Sequence, residues 1–266
     1  MFSSWLRKFQ ELQLILVVVP AKNNKDMYAE VKRVGDNILG IPTQGIKIKQ
    51  VEEARPQVCA NLSMKINAKL GGVNHVIDPK VKSLVFKEPV IIFGADVTHP
   101  SPTENGIPSV AAVVASMDAH AAKYSARVRP QKHERSGGAQ EIITDLAAMV
   151  KELLWDFYNA TSGRKPTRII FFRDGVSEGQ FDQVLVHEVR AVQEACTMLN
   201  KEYRPWITFV VVQKRHHARF FCEDRTDASG KEQNVPPGTV VDKGITHPYE
   251  FDFYLTSHFG IKVPYA

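Results

Sequence analysis

The stretch from Pro89 to Gln213 constrains the fold most, because its apolar segments follow one order: three strands, a helix, a strand, a helix and a strand. Pro89 to Ala95 is an apolar run ending at Asp96, and Ser109 to Ser116 and Lys123 to Arg129 read as two further strands. The spacing predicts a helix from about Ala139 to Tyr158. Arg168 to Phe172 reads as a strand that stops at Arg173-Asp174-Gly175, Glu178 to about Asn200 as a helix, and Trp206 to Gln213 as the last strand. Three consecutive strands followed by alternating helices and strands predict a mixed sheet covered by helices.

A shorter α/β unit precedes it. Leu12 to Val19 is apolar and β-branched and reads as a buried strand. Asp26 suits the start of a helix running to about Gly35 or Leu39. Ile46 to Val51 alternates apolar and basic residues, which predicts a strand. Pro56 opens a helix that stops at Gly71-Gly72.

Three acids fall where the larger sheet would use them. Asp96 ends its first strand, Asp174 ends its fourth, and Glu141 falls in the first turn of the helix between. Strand ends collect ligands in open α/β sheets. Two aspartates at neighbouring strand ends suit the hard cations Mg²⁺ or Mn²⁺, which activate water in phosphodiester hydrolysis. An aspartate after a strand is also a common turn residue, and a glutamate in a first helical turn is favoured by the dipole alone. Taken with the order of elements, the acids match the arrangement of the ribonuclease H-like fold.

Composition excludes other classes. The Lys plus Arg count of 34 against 29 Asp plus Glu leaves a net charge of +5, which permits an anionic partner without demanding one. Cys59, Cys196 and Cys222 are too few and too scattered for a disulfide scaffold or a zinc ribbon. No apolar run is long enough to span a bilayer. Arg7 and Lys8 before an apolar stretch, with Val19-Pro20-Ala21 after it, loosely resemble an export signal, but Glu11 and Gln13 break its front edge. An intracellular, reducing compartment is the expectation.

Several long strings carry a resemblance. Gly94-Ala95-Asp96-Val97-Thr98-His99-Pro100, Arg173-Asp174-Gly175-Val176-Ser177-Glu178-Gly179-Gln180-Phe181, Val212-Gln213-Lys214-Arg215-His216-His217 and Ile245-Thr246-His247-Pro248 with Glu250-Phe251-Asp252-Phe253-Tyr254-Leu255 resemble the PIWI domain of eukaryotic Argonaute proteins, nearer the AGO clade than the Piwi clade. The resemblance implies a non-family segment over 1–10, the C-terminal part of a Rossmann-like MID domain over 11–86 and a PIWI domain over 87–266. It implies that Asp96, Glu141 and Asp174 are three of the four residues of a slicing tetrad, Asp96 and Asp174 holding Mg²⁺ or Mn²⁺.

It also implies a pocket for the guide RNA 5′ phosphate at Tyr28, Lys32, Gln44, Lys65 and Lys69. The spacing agrees: Tyr28 and Lys32, like Lys65 and Lys69, are four apart and share a helix face. Lys214, Arg215 and Arg219 would lie along the guide backbone, where cations neutralise phosphates. The implied partners are a small guide RNA, a complementary target RNA and tryptophan-rich silencing proteins, in the cytoplasm and with no membrane.

The chain departs from the family pattern at its end. The tetrad histidine is expected beyond Ser257-His258-Phe259-Gly260-Ile261, but Lys262-Val263-Pro264-Tyr265-Ala266 closes the sequence, and His258 does not occupy the tetrad position. The expectations are an incomplete metal site, an incomplete 5′ pocket and exposed apolar surface. Arg135-Ser136-Gly137-Gly138-Ala139 is a Gly-rich stretch before Glu141, and Lys22-Asn23-Asn24-Lys25 stands where the family reads the first guide base. Three readings follow: part of a guide-dependent slicer, a non-catalytic module that binds RNA or a partner protein, and another ribonuclease H-like nuclease.

Overall fold

The computed structural model describes residues 12–22, 24–101, 107–131 and 141–258. The expectations for Met1 to Gln10, for Asn23, for the Gly-rich stretch 135–139 and for the last residues from Phe259 onward lie outside the described residues. The chain forms two compact units, 1–212 and 213–266.

The first unit opens with a two-stranded parallel sheet. β1 (Ile15–Val19) pairs with β2 (Thr43–Lys47) in the register Ile15↔Thr43 to Val19↔Lys47. Between them α1 (Lys25–Lys32) continues into a π-helical turn, Arg33–Leu39, that ends at Gly40 with φ 65°. Gly35 in that turn has a physical reason. A Cβ there would lie 2.3 Å from Thr43 Cγ2, so only glycine lets the turn close on β2. β1 is less buried than its sequence suggests. With one partner strand, Leu16 and Val18 stay half exposed and only Val19 is buried.

The strand expected over Ile46 to Val51 ends earlier. Its pairing partner β1 stops before Pro20, which has no N–H to extend the ladder. Beyond Lys47 the backbone turns instead into α2 (Ile48–Glu53), and Gln50 Oε1 accepts from the Lys47 N–H at 3.2 Å. α3 (Pro56–Lys69) follows with proline in its first turn, and Gly71 (φ 80°) lies just beyond its end, as predicted.

The remainder of this unit is a mixed five-stranded sheet with the order β5-β4-β3-β6-β7. The strands are β3 (Val90–Thr98), β4 (Ser109–Ser116), β5 (Tyr124–Gln131), β6 (Arg168–Asp174) and β7 (Trp206–Val212). β3, β4 and β5 are antiparallel neighbours, whereas β6 and β7 run parallel to β3. The two crossovers are α4 (Leu146–Ala160) and α5 (Phe181–Leu199).

Period-2 alternation decides which face is covered. Ile91, Phe93 and Ala95 of β3 and Ile169 and Phe171 of β6 point into the core with Leu146, Met149, Leu153, Val192 and Ala195 of the two helices. Phe93, Phe171 and Phe209 are register partners on three adjacent strands and stack at 5.6 and 5.0 Å between ring centroids. Full burial of Phe93 and Phe171 stabilises the sheet by about 1.5–3 kcal/mol each, and the partly buried Phe209 adds less. On the opposite face Val110, Val114, Val128 and Phe172 are exposed, in line with the exposed apolar surface expected.

α4 begins later than the sequence suggests, at Leu146 rather than near Ala139. Glu141 therefore precedes the helix instead of occupying its first turn. The cause is tertiary: Arg173 Nη2 donates to the Glu141 carbonyl at 2.7 Å, and the Ile143 N–H donates to Glu188 Oε1 at 3.1 Å. Backbone groups held this way are not free to enter a helical ladder.

In the second unit, residues 213–258 are described and short pieces predominate. β8 (Val240–Val241) and β9 (Tyr254–Leu255) pair antiparallel. Tyr254 meets the edges of His216 and Phe220 at 5.1 and 5.2 Å between centroids. Among the described residues no helix is long and apolar enough to cross a membrane.

Candidate functional site

Asp96 and Asp174 come together through strand register. Ala95 pairs with Arg173 across the parallel β3–β6 ladder, so the next residues along, Asp96 and Asp174, occupy adjacent positions on the same sheet face. That face is opposite the helices, and Asp96 is exposed there. Gly175 follows with φ 87°, and a Cβ on it would lie 2.9 Å from Asp96 Oδ1 and 3.9 Å from Glu141 Oε1. The turn thus leaves a cradle between two of the acids that any larger residue would fill. Of the three acids expected from the sequence, Asp96 and Glu141 meet at this turn and Asp174 immediately precedes it.

Glu141 is held by groups that the sequence reading did not single out. Its Oε2 accepts from His99 Nε2 at 2.9 Å, and the other ring nitrogen of His99 lies 2.9 Å from the Ser109 hydroxyl. Its Oε1 accepts from Arg173 Nη2 at 2.8 Å. Arg173 is fully buried and also donates from Nε to Glu188 at 3.0 and 3.2 Å and from Nη1 to the Asp174 carbonyl. Glu188 is fully buried too; burial pushes its carboxyl above the ordinary range, and the Arg173 guanidinium opposes that rise. One buried guanidinium therefore ties β6, α5 and Glu141 together.

Both charges had a signal in the sequence. Arg173 continues the inward alternation Ile169, Phe171, Arg173, and Glu188 continues the inward helical stripe Val184, Glu188, Val192. A charge on an apolar stripe is buried only when paired.

Oxygen donors alone suit Mg²⁺ or Mn²⁺, which need only one or two carboxylates when waters and substrate phosphate complete the shell. Among the described residues no group of three His, Cys, Asp or Glu side chains stands ready to hold a metal by itself. The donor set therefore fits a hard cation shared with a phosphate, not a closed protein cage.

A second cluster is cationic. Lys32 Nζ and Lys69 Nζ both donate to the Thr43 carbonyl, at 3.1 and 2.6 Å, and Lys69 also donates to Gln44 Oε1 at 2.7 Å. Burial first, then Lys32 and Lys65, lowers the Lys69 pKa from its ordinary 10.5. Tyr28 lies over the backbone at Gly45, where a Cβ would be 3.3 Å from the ring. The structure thus gathers Tyr28, Lys32, Gln44 and Lys69, and Lys65 is close enough to repel Lys69. Asp36, 3.9 Å from Lys32 Nζ, offsets part of this charge and opposes the fall at Lys69, but ammonium groups that repel one another still favour an anion.

Lys214, Arg215 and Arg219 are exposed in the second unit. Arg219 Nη1 donates to the carbonyls of His216 and Ala218 at 2.9 and 2.8 Å, which pins its guanidinium to its own loop. A further concave feature was absent from the sequence reading. A cavity of about 240 Å³ is lined by Trp155, Tyr158, Lys165, Pro166, Leu199 and Tyr203 among others. Trp155 and Tyr158 stack at 5.6 Å, and Tyr203 is anchored by its hydroxyl to the Pro166 carbonyl at 2.8 Å.

A mixed five-stranded sheet with carboxylates at adjacent positions on its two central parallel strands defines a ribonuclease H-like protein of α/β class. The chain belongs to the Piwi domain family, which matches residues 14–265. It is similar to Kluyveromyces polysporus Argonaute solved with a guide RNA, at 28% identity and a TM-score of 0.85, over 98% of this chain and 30% of that one. It is similar to the C-terminal lobe of a budding yeast Argonaute at the same 28% and 0.85, over 98% of this chain and 53% of that one. Drosophila Piwi gives 26% identity and a TM-score of 0.75, over 98% and 33% of the two chains. The chain thus spans 30% to 53% of these three solved chains. The Argonaute resemblance read from the strings around Asp96 and Asp174 holds.

Proposed function

We propose that this chain provides guide binding and three of the four residues of the cleavage centre, Asp96, Glu141 and Asp174, of a small-RNA-directed silencing protein. The observation that carries the reading is the approach of Asp96 and Glu141 to the Gly175 turn, with Asp174 directly before that turn and beside Asp96 by strand register. Tyr28, Lys32, Gln44, Lys65 and Lys69 receive the 5′ phosphate of a guide RNA, and Tyr28 stacks on its first base. Lys214, Arg215 and Arg219 follow the guide backbone. The division is MID over 11–86 and PIWI over 87–266. The protein works in the cytoplasm on complementary target RNA.

At the centre, Asp96 and Asp174 are the residues that hold Mg²⁺ or Mn²⁺. Such a cation, when bound, supplies an activated water and stabilises the leaving oxygen of a phosphodiester. Glu141 accepts hydrogen bonds from groups on that centre, and His99 and Arg173 fix its carboxylate so that it does not reorganise during the reaction.

The test uses a 5′-phosphorylated guide and a matched, end-labelled target. In a full-length protein carrying this chain, Asp96→Ala and Asp174→Ala are expected to abolish Mg²⁺-dependent cleavage while guide retention stays within about two-fold. Lys32→Ala with Lys69→Ala is expected to weaken guide retention at least tenfold, the loss of two charge-assisted contacts. Loss of guide and cleavage together in Asp174→Ala would refute the separation of roles. Guide binding without cleavage in the unaltered chain would establish the non-catalytic reading.

The aromatic cavity supports the second part of the reading, a tryptophan-rich partner. Its apolar walls, the Lys165 ammonium and the stacked Trp155 and Tyr158 rings suit an indole. A short peptide bearing one Gly-Trp pair is expected to bind, and Leu199→Asp to abolish binding.

A further inference from the structure

A larger cavity, about 540 Å³, adjoins the aromatic one, and Tyr203 lines both. Its wall is made by the last turns of α5 and the start of β7. Arg190, Glu194 and Thr197 contribute from the helix, Arg204 from the loop before the strand, and Cys196 from the helix's inner side. Arg190 and Glu194 are four apart, yet no ion pair forms between them, and among the described residues neither the Arg190 nor the Arg204 guanidinium forms an ion pair with a carboxylate. Arg204 Nη1 makes one bond, to the Tyr203 carbonyl at 3.1 Å. Two guanidinium groups with most of their donors open thus face one carboxylate, and Lys165 adds a third cation from the neighbouring cavity.

The contrast with the rest of the sheet is informative. Arg127 and Arg129 on β5 are both saturated by Glu152 and Asp156 on α4 and Asp145 just before it, and Arg173 by Glu188 and Glu141. Arginine is matched to carboxylates wherever it serves the fold of this unit. At the mouth of the aromatic cavity it is not.

We infer that this second cavity takes an acidic side chain, Asp or Glu, of the same peptide whose aromatic residue enters the first. The inference rests on the aromatic-partner reading above and specifies it: the partner is an acidic segment, with a carboxylate a few residues from its tryptophan. Charge complementarity selects this occupant, because an open guanidinium fork matches a carboxylate in two parallel hydrogen bonds. Glu194 repels a second carboxylate, so one acid per tryptophan is the match.

The test measures fluorescence anisotropy of two labelled peptides against the full chain. One carries Gly-Trp flanked by glutamates, and the other is identical with glutamines. The acidic peptide is expected to bind roughly five- to tenfold tighter, as two partly exposed charge pairs allow. That advantage should shrink as salt rises from about 0.05 M to about 0.5 M. Arg190→Gln with Arg204→Gln should erase the advantage and leave the neutral peptide's affinity unchanged; both sites are exposed, so the fold tolerates the change.

Equal binding of the two peptides would overturn the acidic-partner inference and leave the aromatic reading standing. Failure of both peptides to bind would overturn the aromatic reading, and this inference with it. Displacement of the acidic peptide by single-stranded RNA in the unaltered chain but not in the double variant would assign the arginines to RNA and overturn the inference.

Discussion

Replacing Glu188 by glutamine tests whether the buried guanidinium organises the acidic centre. Both Arg173 and Glu188 have no exposed side-chain surface, and Glu188 receives Arg173 Nε at 3.0 and 3.2 Å and the Ile143 N–H at 3.1 Å. The amide keeps the shape and one acceptor but removes the charge. Removing one partner of a buried pair costs about 3–5 kcal/mol. Glu141 still faces the guanidinium at 2.8 Å, so the cost falls near the lower end, about 3 kcal/mol.

Urea denaturation followed by circular dichroism reads this as a lower midpoint at unchanged slope. Glu188→Met removes both acceptors and should cost more, about 4–5 kcal/mol, because the Ile143 N–H loses its partner outright and Arg173 Nε loses its own, leaving Glu141 as the only carboxylate on the guanidinium. Arg173→Met with Glu188→Met should recover most of that loss, since two apolar side chains of similar volume replace two desolvated charges. It should nevertheless leave Glu141 without its guanidinium anchor, so cleavage is not recovered with stability. A cost below about 1 kcal/mol for Glu188→Gln would refute the reasoning, because it would mean that this pair does not carry a buried charge.

Gly175→Ala combines a left-handed backbone with a Cβ 2.9 Å from Asp96 Oδ1, so it is expected to lower stability by about 1–2 kcal/mol and to displace the Asp96 carboxylate; a denaturation midpoint within error of the unaltered chain would count against this. Lys69 is expected to titrate below 10.5 in the free chain by ¹³Cε chemical shift, and to rise when a 5′-phosphorylated nucleotide binds. Because the unfolded chain then binds more protons than the folded one, Lys69's contribution to stability increases with pH between its folded pKa and 10.5. Among the three thiols, Cys59 is exposed, whereas burial pushes Cys196 up to about 11. Alkylation at pH 8 should therefore modify Cys59 quickly and spare Cys196 in the folded chain, and Cys59→Ser should remove the fast phase.

Much of the sheet is legible in residue pattern alone. Ile169, Phe171, Phe93 and Ile91 alternate with less buried neighbours, and that period survives whatever packs on it. Asp174 was legible because it closes an apolar strand; Asp96 follows an apolar run too, but it does not end its strand as expected, because pairing with β4 carries β3 on to Thr98. Element limits that depend on a distant partner were not. The second strand stops at Lys47 because β1 runs out of pairing residues, and α4 starts at Leu146 because Arg173 and Glu188 hold the backbone before it. Neither cause lies within the segment it affects.

The same division runs through the site. Residue types, their spacing and the order of strands determined that acids would meet at the centre of a mixed sheet and that lysines would share helix faces, since local periodicity sets which side of an element a residue occupies. Only the tertiary structure decided that Glu141 is clamped between His99 and Arg173, that Lys32 and Lys69 share one carbonyl, and that Arg190 and Arg204 open onto a cavity unpaired. These are contacts between residues far apart in the chain, and their partners are chosen by burial: a charge taken out of water needs a counter-charge wherever the fold can supply one, and its identity is written in no local pattern.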